Sequence, residues 1–203
     1  MTISTNSPLH HLPNAVTLAR MAAGVFGAYC LAVSVSGDVQ GSDLIWGAVA
    51  AVIYILAALS DWLDGWLAEI LDARSALGAL LDPLADKVLV GGYLIAFLTV
   101  PSWSEWLLVP VALIVGRDLL VTILRFTRPS TATLKVTKAA KAKTAFTMSV
   151  IAAPFALVTV DLATPINLAP EAWFVYWAVG IWFAAFLSAW TAVPYVRGAM
   201  GRG

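Results

Sequence analysis

Six long apolar windows, at roughly residues 15–35, 44–60, 77–99, 105–126, 144–160 and 172–196, take up most of this 203-residue chain. A helix needs about 20 mostly apolar residues to cross a bilayer. Hydrocarbon offers backbone amides no partner, so such segments cross as helices whose hydrogen bonds close internally. Charge is correspondingly scarce: 12% of the residues are charged and 61% hydrophobic, against roughly 25% charged in a soluble domain. No polar block is long enough for a separate soluble unit. The expectation is therefore all-α, a polytopic six-transmembrane-helix bundle forming one integral domain over residues 1–203, with residues 1–14 as a tail. Ser36 to Asp38 and Gly41 to Asp43 separate the first two windows, Pro101 and Ser102 the third from the fourth, and Pro165 with Pro170 the fifth from the sixth.

The bases set the orientation. All twelve Lys and Arg fall near the N-terminus, the second-to-third connection, the fourth-to-fifth connection, the C-terminus, or the helix ends beside them. The other three connections hold Asp38, Asp43, Glu105, Asp161 and Glu171 and no base. Positive charge stays inside, which puts both termini in the cytoplasm. A net charge of zero excludes a nucleic-acid binder that works by bulk positive charge. Cys30 lies alone in an apolar run and reads as a small hydrophobe. The tail, with His10 and His11, lacks the apolar core and cleavage site of a signal peptide.

Against this background the stretch from Ser60 to Lys87 is unusual, because it gathers Asp61, Asp64, Asp72, Asp82 and Asp86. Asp61 and Asp64 are three apart at the inner end of the second span, so on a helix they share a face. Gly78, Asp82 and Asp86 are spaced by four and line one face of the third. Four ionised carboxylates at a membrane boundary repel one another and lose hydration, so either some are protonated or cations sit among them. Oxygen-only ligands favour hard divalent ions such as magnesium, calcium or manganese over zinc. Gly65, Ala68 and Gly78 leave room beside the acids for a bulky ligand. A metal pair beside such a gap suits a diphosphate, whose oxygens the cations neutralise. Asp72 shares no face with the others and reads as a solvated neighbour of Arg74, and Lys87 as a snorkelling or paired base.

These residues resemble the signature of the CDP-alcohol phosphotransferases, D-x2-D-G-x2-A-R-x8-G-x3-D-x3-D. Asp61, Asp64, Gly65, Ala68, Gly78, Asp82 and Asp86 match all but one of its fixed positions. The resemblance implies a six-helix membrane enzyme with its site at the cytoplasmic end. It implies two metal ions, Mg2+ or Mn2+, on Asp61, Asp64 and Asp82, with Asp86 touching the second metal and acting as general base. It also implies that Gly65 and Ser75 lie against the cytidine nucleotide of CDP-diacylglycerol, with Ala68 and Gly78 in the same binding region. Pro13 to Thr17 resembles the family's P-N-x-x-T element, which would bring Asn14 and Thr17 to the nucleotide. One position departs: Glu69 stands where the family has an arginine that contacts the donor phosphates. Either Arg74 or another base substitutes, or the donor or the activity has changed.

The second half resembles one branch, the phosphatidylglycerophosphate synthases. Arg117, Asp118, Thr122, Leu124 and Arg125 fit its R-E/D-x-x-x-[ST]-x-L-R element, and Lys141, Lys143 and Thr144 its G-K-x-K-T element, with Ala140 for the glycine. The acceptor implied is glycerol 3-phosphate, its phosphate held by Arg117, Arg125, Lys141 and Lys143. The resemblance further implies the inner (plasma) membrane of a bacterial-type cell, an active site facing the cytoplasm, contact with membrane lipids, and a family habit of forming homodimers. Phosphatidylglycerol, giving cardiolipin, or inositol phosphate are alternative acceptors for the same chemistry. A divalent-cation transporter is the rival from another class, but the outward halves of the spans carry almost no polar lining.

Overall fold

The computed structural model describes the backbone of residues 12–36, 43–70, 76–100, 103–127, 138–164 and 170–199. Side chains are described over the same stretches except at 12–14, 61–70, 76–80, 82, 125, 126, 138–141, 161, 162, 170–172, 198 and 199. Among the described residues every regular element is a helix: α1 (Leu12–Ser36), α2 (Asp43–Ile70), α3 (Ala76–Phe97), α4 (Ser104–Thr127), α5 (Lys138–Ala163) and α6 (Pro170–Ala199). Their starts follow from local chemistry. Pro13 and Pro170 fall in first turns, where a missing N–H is harmless. Asp43 and Glu105 place negative charge at helix N-termini. Helix α1 begins at Leu12, so Pro13 and Asn14 belong to it and not to the preceding tail.

Among the described residues five helices, α1, α2, α4, α5 and α6, are long and apolar enough to cross a membrane. Their surfaces agree: Leu44, Ile45, Val52, Ile55, Leu56 and Leu59 along α2 are each about half exposed or more. A continuous apolar exterior of this kind belongs in lipid and not in water. The protein is thus an integral membrane protein. The third expected window, α3, is not among the five; it carries Asp82, Asp86 and Lys87 within its 22 residues.

The chain forms two compact units, Met1–Thr99 and Val100–Gly203. In the first, α1 packs along both α2 and α3, which meet each other only slightly. Neighbouring pairs give the directions. Arg20 faces Asp86, Gly24 faces Leu89 and Gly27 faces Tyr93, so α1 and α3 run parallel. Ser34 faces Gly47 and Ile53 faces Gly27, so α2 runs antiparallel to both. The approach is close because small residues line it: a Cβ on Gly24 would come within 3.1 Å of the Leu89 Cα, and one on Gly92 within 3.3 Å of the Ala28 Cβ. Lipid tails are as apolar as leucine, so such steric fit is what draws membrane helices together. Tyr93 uses the gap left by Gly27 to reach past α1 and donate a 2.7 Å hydrogen bond to the Ala50 carbonyl of α2. Tyr54 meets its ring edge-on at 4.9 Å.

In the second unit α6 is the shared helix, packing against α4 and α5. Trp103 stacks on Phe174 and meets Trp173 and Trp177 at one end, while Arg117 reaches Ser188 and Thr191 farther along, so α4 and α6 are parallel. Helix α5 runs the other way: Phe146 meets Phe183, and Trp177 donates from Nε1 to the Val150 carbonyl at 2.8 Å.

Candidate functional site

The helix directions gather the candidate residues of the first unit at one end of it. The C-terminal turns of α2 carry Asp61, Asp64, Gly65 and Ala68; the N-terminal turns of α3 carry Gly78, Asp82 and Asp86; the N-terminal turns of α1 carry Asn14 and Thr17. Helix α2 continues unbroken to Ile70, ten residues past Ser60, so the three-residue spacing of Asp61 and Asp64 does place them on one helical face. Helix α3 is continuous through Asp82 and Asp86, one turn apart. Pro83 lies between them and brings no N–H to the ladder, loosening the turn that bears the acids. The side chains of Asn14, Asp61, Asp64 and Asp82, and everything beyond the backbone at Gly65, Ala68, Glu69 and Gly78, lie outside the described residues. Ser75 and Arg74 lie outside them altogether.

Asp86 is described, and its neighbour is a base that the sequence reading counted only toward orientation. Arg20 Nη1 stands 3.9 Å from Asp86 Oδ1, with the arginine side chain fully buried and the aspartate 27% exposed. That separation exceeds hydrogen-bond length, so the contact is Coulombic and lacks the geometry of a bidentate clamp. Thr17, one turn before Arg20, is buried on the same face of α1. A part-exposed carboxylate one turn from Asp82 is an oxygen donor of the kind that suits a hard divalent ion. A signal for Arg20 existed in the sequence. Thr17, Arg20, Gly24 and Gly27 recur every three or four residues, a polar and small-residue stripe on an otherwise apolar helix.

The second unit holds a different cluster. Arg117 donates from Nε to the Ser188 carbonyl (3.1 Å), from Nη1 to Asp118 Oδ1 (2.8 Å), and from Nη2 to the Thr191 carbonyl (3.2 Å) and Oγ1 (3.1 Å). Its guanidinium also lies 5.9 Å from the centre of the Tyr195 ring. Lys143, on α5, donates from Nζ to both Asp118 oxygens, at 3.1 and 3.2 Å. Asp118 is therefore the junction of a half-buried arginine on α4 and a buried lysine on α5. Of the four bases expected to bind the acceptor, the structure brings Arg117 and Lys143 together through this carboxylate. Arg125, two turns along α4 from Arg117, and Lys141, at the start of α5, are placed by backbone only.

Comparisons with known proteins identify the family. The family model described as CDP-alcohol phosphatidyltransferase matches residues 10–190. A Cereibacter sphaeroides protein named CDP-diacylglycerol–glycerol-3-phosphate 3-phosphatidyltransferase is 42% identical over 107 residues, 52% of this chain and 48% of that protein. The chain thus spans about half the length of that relative. A Salmonella choleraesuis protein of the same name is 31% identical over 157 residues, 75% of this chain and 79% of its own. The crystal structure of Mycobacterium tuberculosis phosphatidylinositol phosphate synthase in apo form superposes with a TM-score of 0.60 over 96% of this chain and 95% of that one, at 17% identity, which speaks to the fold. With the family model covering nearly the whole chain and the acidic positions on the two helices that the motif requires, this chain belongs to the CDP-alcohol phosphatidyltransferase family.

Proposed function

We propose that this chain transfers the phosphatidyl group of CDP-diacylglycerol to glycerol 3-phosphate, releasing CMP and forming phosphatidylglycerophosphate. The observation that carries the reading is the set of seven signature residues on the continuous helices α2 and α3. The shared name of the Cereibacter and Salmonella relatives supports the choice of acceptor.

In this reading Asp61, Asp64, Asp82 and Asp86 hold two divalent ions, magnesium or manganese. Bound ions would neutralise the donor's diphosphate and stabilise charge on the departing CMP. Asn14, Thr17, Gly65, Ala68, Ser75 and Gly78 accommodate the cytidine diphosphate head, while the acyl chains stay in the bilayer. The basic set of α4 and α5 serves the acceptor's phosphate, with Arg125 and Lys141 contacting it in this reading and the Arg117, Asp118 and Lys143 group on the same two helices. Asp86 accepts the proton of the acceptor's primary hydroxyl as that oxygen attacks the lipid-side phosphorus. A new oxygen–phosphorus bond forms, the bond from that phosphorus to the bridging oxygen breaks, and CMP leaves. Arg20 places a positive charge beside Asp86.

Helix α3 is the sixth span in this account, its acids at the cytoplasmic boundary and both termini on that side, in the inner membrane of a bacterial cell. The distribution of bases supports that orientation, and a homodimer accords with the family resemblance. The test is CMP release from CDP-diacylglycerol by the purified full-length protein, offered glycerol 3-phosphate, phosphatidylglycerol or inositol phosphate in turn. Release with glycerol 3-phosphate alone is expected; release with inositol phosphate and not with glycerol 3-phosphate overturns the acceptor.

A further inference from the structure

Arg117 and Lys143 are poorly placed to be phosphate ligands. Four of the five N–H groups of Arg117 are already directed at Ser188, Thr191 and Asp118, so a bidentate grip on a phosphate would require breaking bonds to α6. Lys143 is buried and commits two of its three N–H groups to Asp118. A phosphate brought against either cation would also meet the negative charge of Asp118.

What the cluster does mechanically is clearer. Helices α4 and α5 have no backbone packing of their own among the described residues; each packs on α6. The Phe146–Phe183 and Trp177–Val150 contacts hold α5 from Phe146 onward. Its preceding turns, which carry Lys141, Lys143 and Thr144, are tied to α4 through Asp118. Arg117 fixes Asp118 in turn, because it is anchored to two α6 carbonyls.

We propose that Asp118 is a positioning residue for the phosphorylated acceptor: it braces Lys143 against Arg117 and so sets the first turns of α5, and Lys143 is a strut that does not itself touch the acceptor. The phosphate contact falls to the other bases of the set. This rests on the proposed reaction with glycerol 3-phosphate and assigns roles within its acceptor site.

The test is a double-mutant cycle on the full-length protein with Asp118→Asn, Lys143→Met and the pair, measuring KM separately for glycerol 3-phosphate and CDP-diacylglycerol. Each single variant should raise the acceptor KM by about tenfold, within the coupling range of contacting residues, and leave the donor KM near the wild-type value. The double variant should be no worse than the worse single one. Asp118→Glu, which keeps the charge, should recover most of the loss; Asp118→Ser takes the place of Asp118→Asn in the cycle should that variant not fold. A double variant whose acceptor KM is raised by the product of the two single effects makes Lys143 a direct ligand and overturns the assignment. So does an acceptor KM that stays or falls in Asp118→Asn, as release of a phosphate-binding lysine would give, or a donor KM that moves equally. A wild-type protein that releases no CMP with glycerol 3-phosphate removes the reaction, and the assignment with it; a wild type active with glycerol 3-phosphate confines any failure to the assignment.

Discussion

Arg20 on α1 lies 3.9 Å from Asp86 on α3, a buried cation beside the carboxylate assigned as general base. Removing one partner of a buried pair takes a compensating charge from the other, and the partial exposure of Asp86 moderates the effect. Arg20→Gln should lower kcat by about tenfold or more, since a misplaced catalytic group loses at least that much, with smaller changes in either KM. Arg20→Lys, which keeps the charge, should fall between. Steady-state kinetics with saturating metal check both.

Gly27 is the point where Tyr93 passes α1 to bond Ala50. A methyl group there meets the Tyr93 hydroxyl and comes within 2.8 Å of the Ile53 Cγ2. Gly27→Ala should lower unfolding stability by about 1–3 kcal/mol, the usual range for overpacking. Tyr93→Phe alone should cost about 1 kcal/mol for the lost hydrogen bond. Combining the two should be less damaging than their sum, because removing the hydroxyl opens space for the methyl group. Thermal unfolding in detergent measures all three.

Arg117 binds α6 through two backbone carbonyls and the Thr191 hydroxyl. A lysine retains the charge but not the planar fork, so Arg117→Lys is not conservative here. A stability loss of about 2–4 kcal/mol is expected from several charge-assisted hydrogen bonds. Trp177→Phe, which removes a single bond to Val150, should lose only about 1 kcal/mol. Equal losses would contradict the picture of Arg117 as a multiply hydrogen-bonded tie between α4 and α6.

Glu69 stands at the family's arginine position, yet Arg20 already brings a cation to the same end of the first unit. Glu69→Arg is therefore expected to leave kcat near wild type. A clear rise would instead mark the natural chain as a weakened enzyme.

Why some of this was legible in the sequence and some not comes down to contact range. The acids of α2 and α3 were readable because helical periodicity alone puts Asp61 with Asp64 and Asp82 with Asp86, and because charge within apolar segments is unfavourable without a function. The five apolar spans were readable from composition. The stripe that holds Arg20 was readable too, but its pairing with Asp86 was not, since that partner lies 66 residues away and the meeting depends on the parallel packing that Gly24 and Gly92 permit. Arg117 was legible as a buried base, but its engagement with Ser188 and Thr191, 71 and 74 residues on, follows only from the path of α6. The bond from Lys143 to Asp118 was not legible either, because a base beside a motif threonine carries no mark of a carboxylate 25 residues earlier.

The central claim is that carboxylates from α2 and α3 jointly hold the divalent ions on which the reaction depends. Its most direct test is CMP release from CDP-diacylglycerol and glycerol 3-phosphate by the wild-type protein and by Asp61→Asn, Asp64→Asn, Asp82→Asn and Asp86→Asn, each with magnesium, with manganese and with a chelator. The account predicts activity in the wild type only with metal present, and a loss on the order of 100-fold or more in every variant. Undiminished turnover in chelator, or in the variants of either helix, would contradict it.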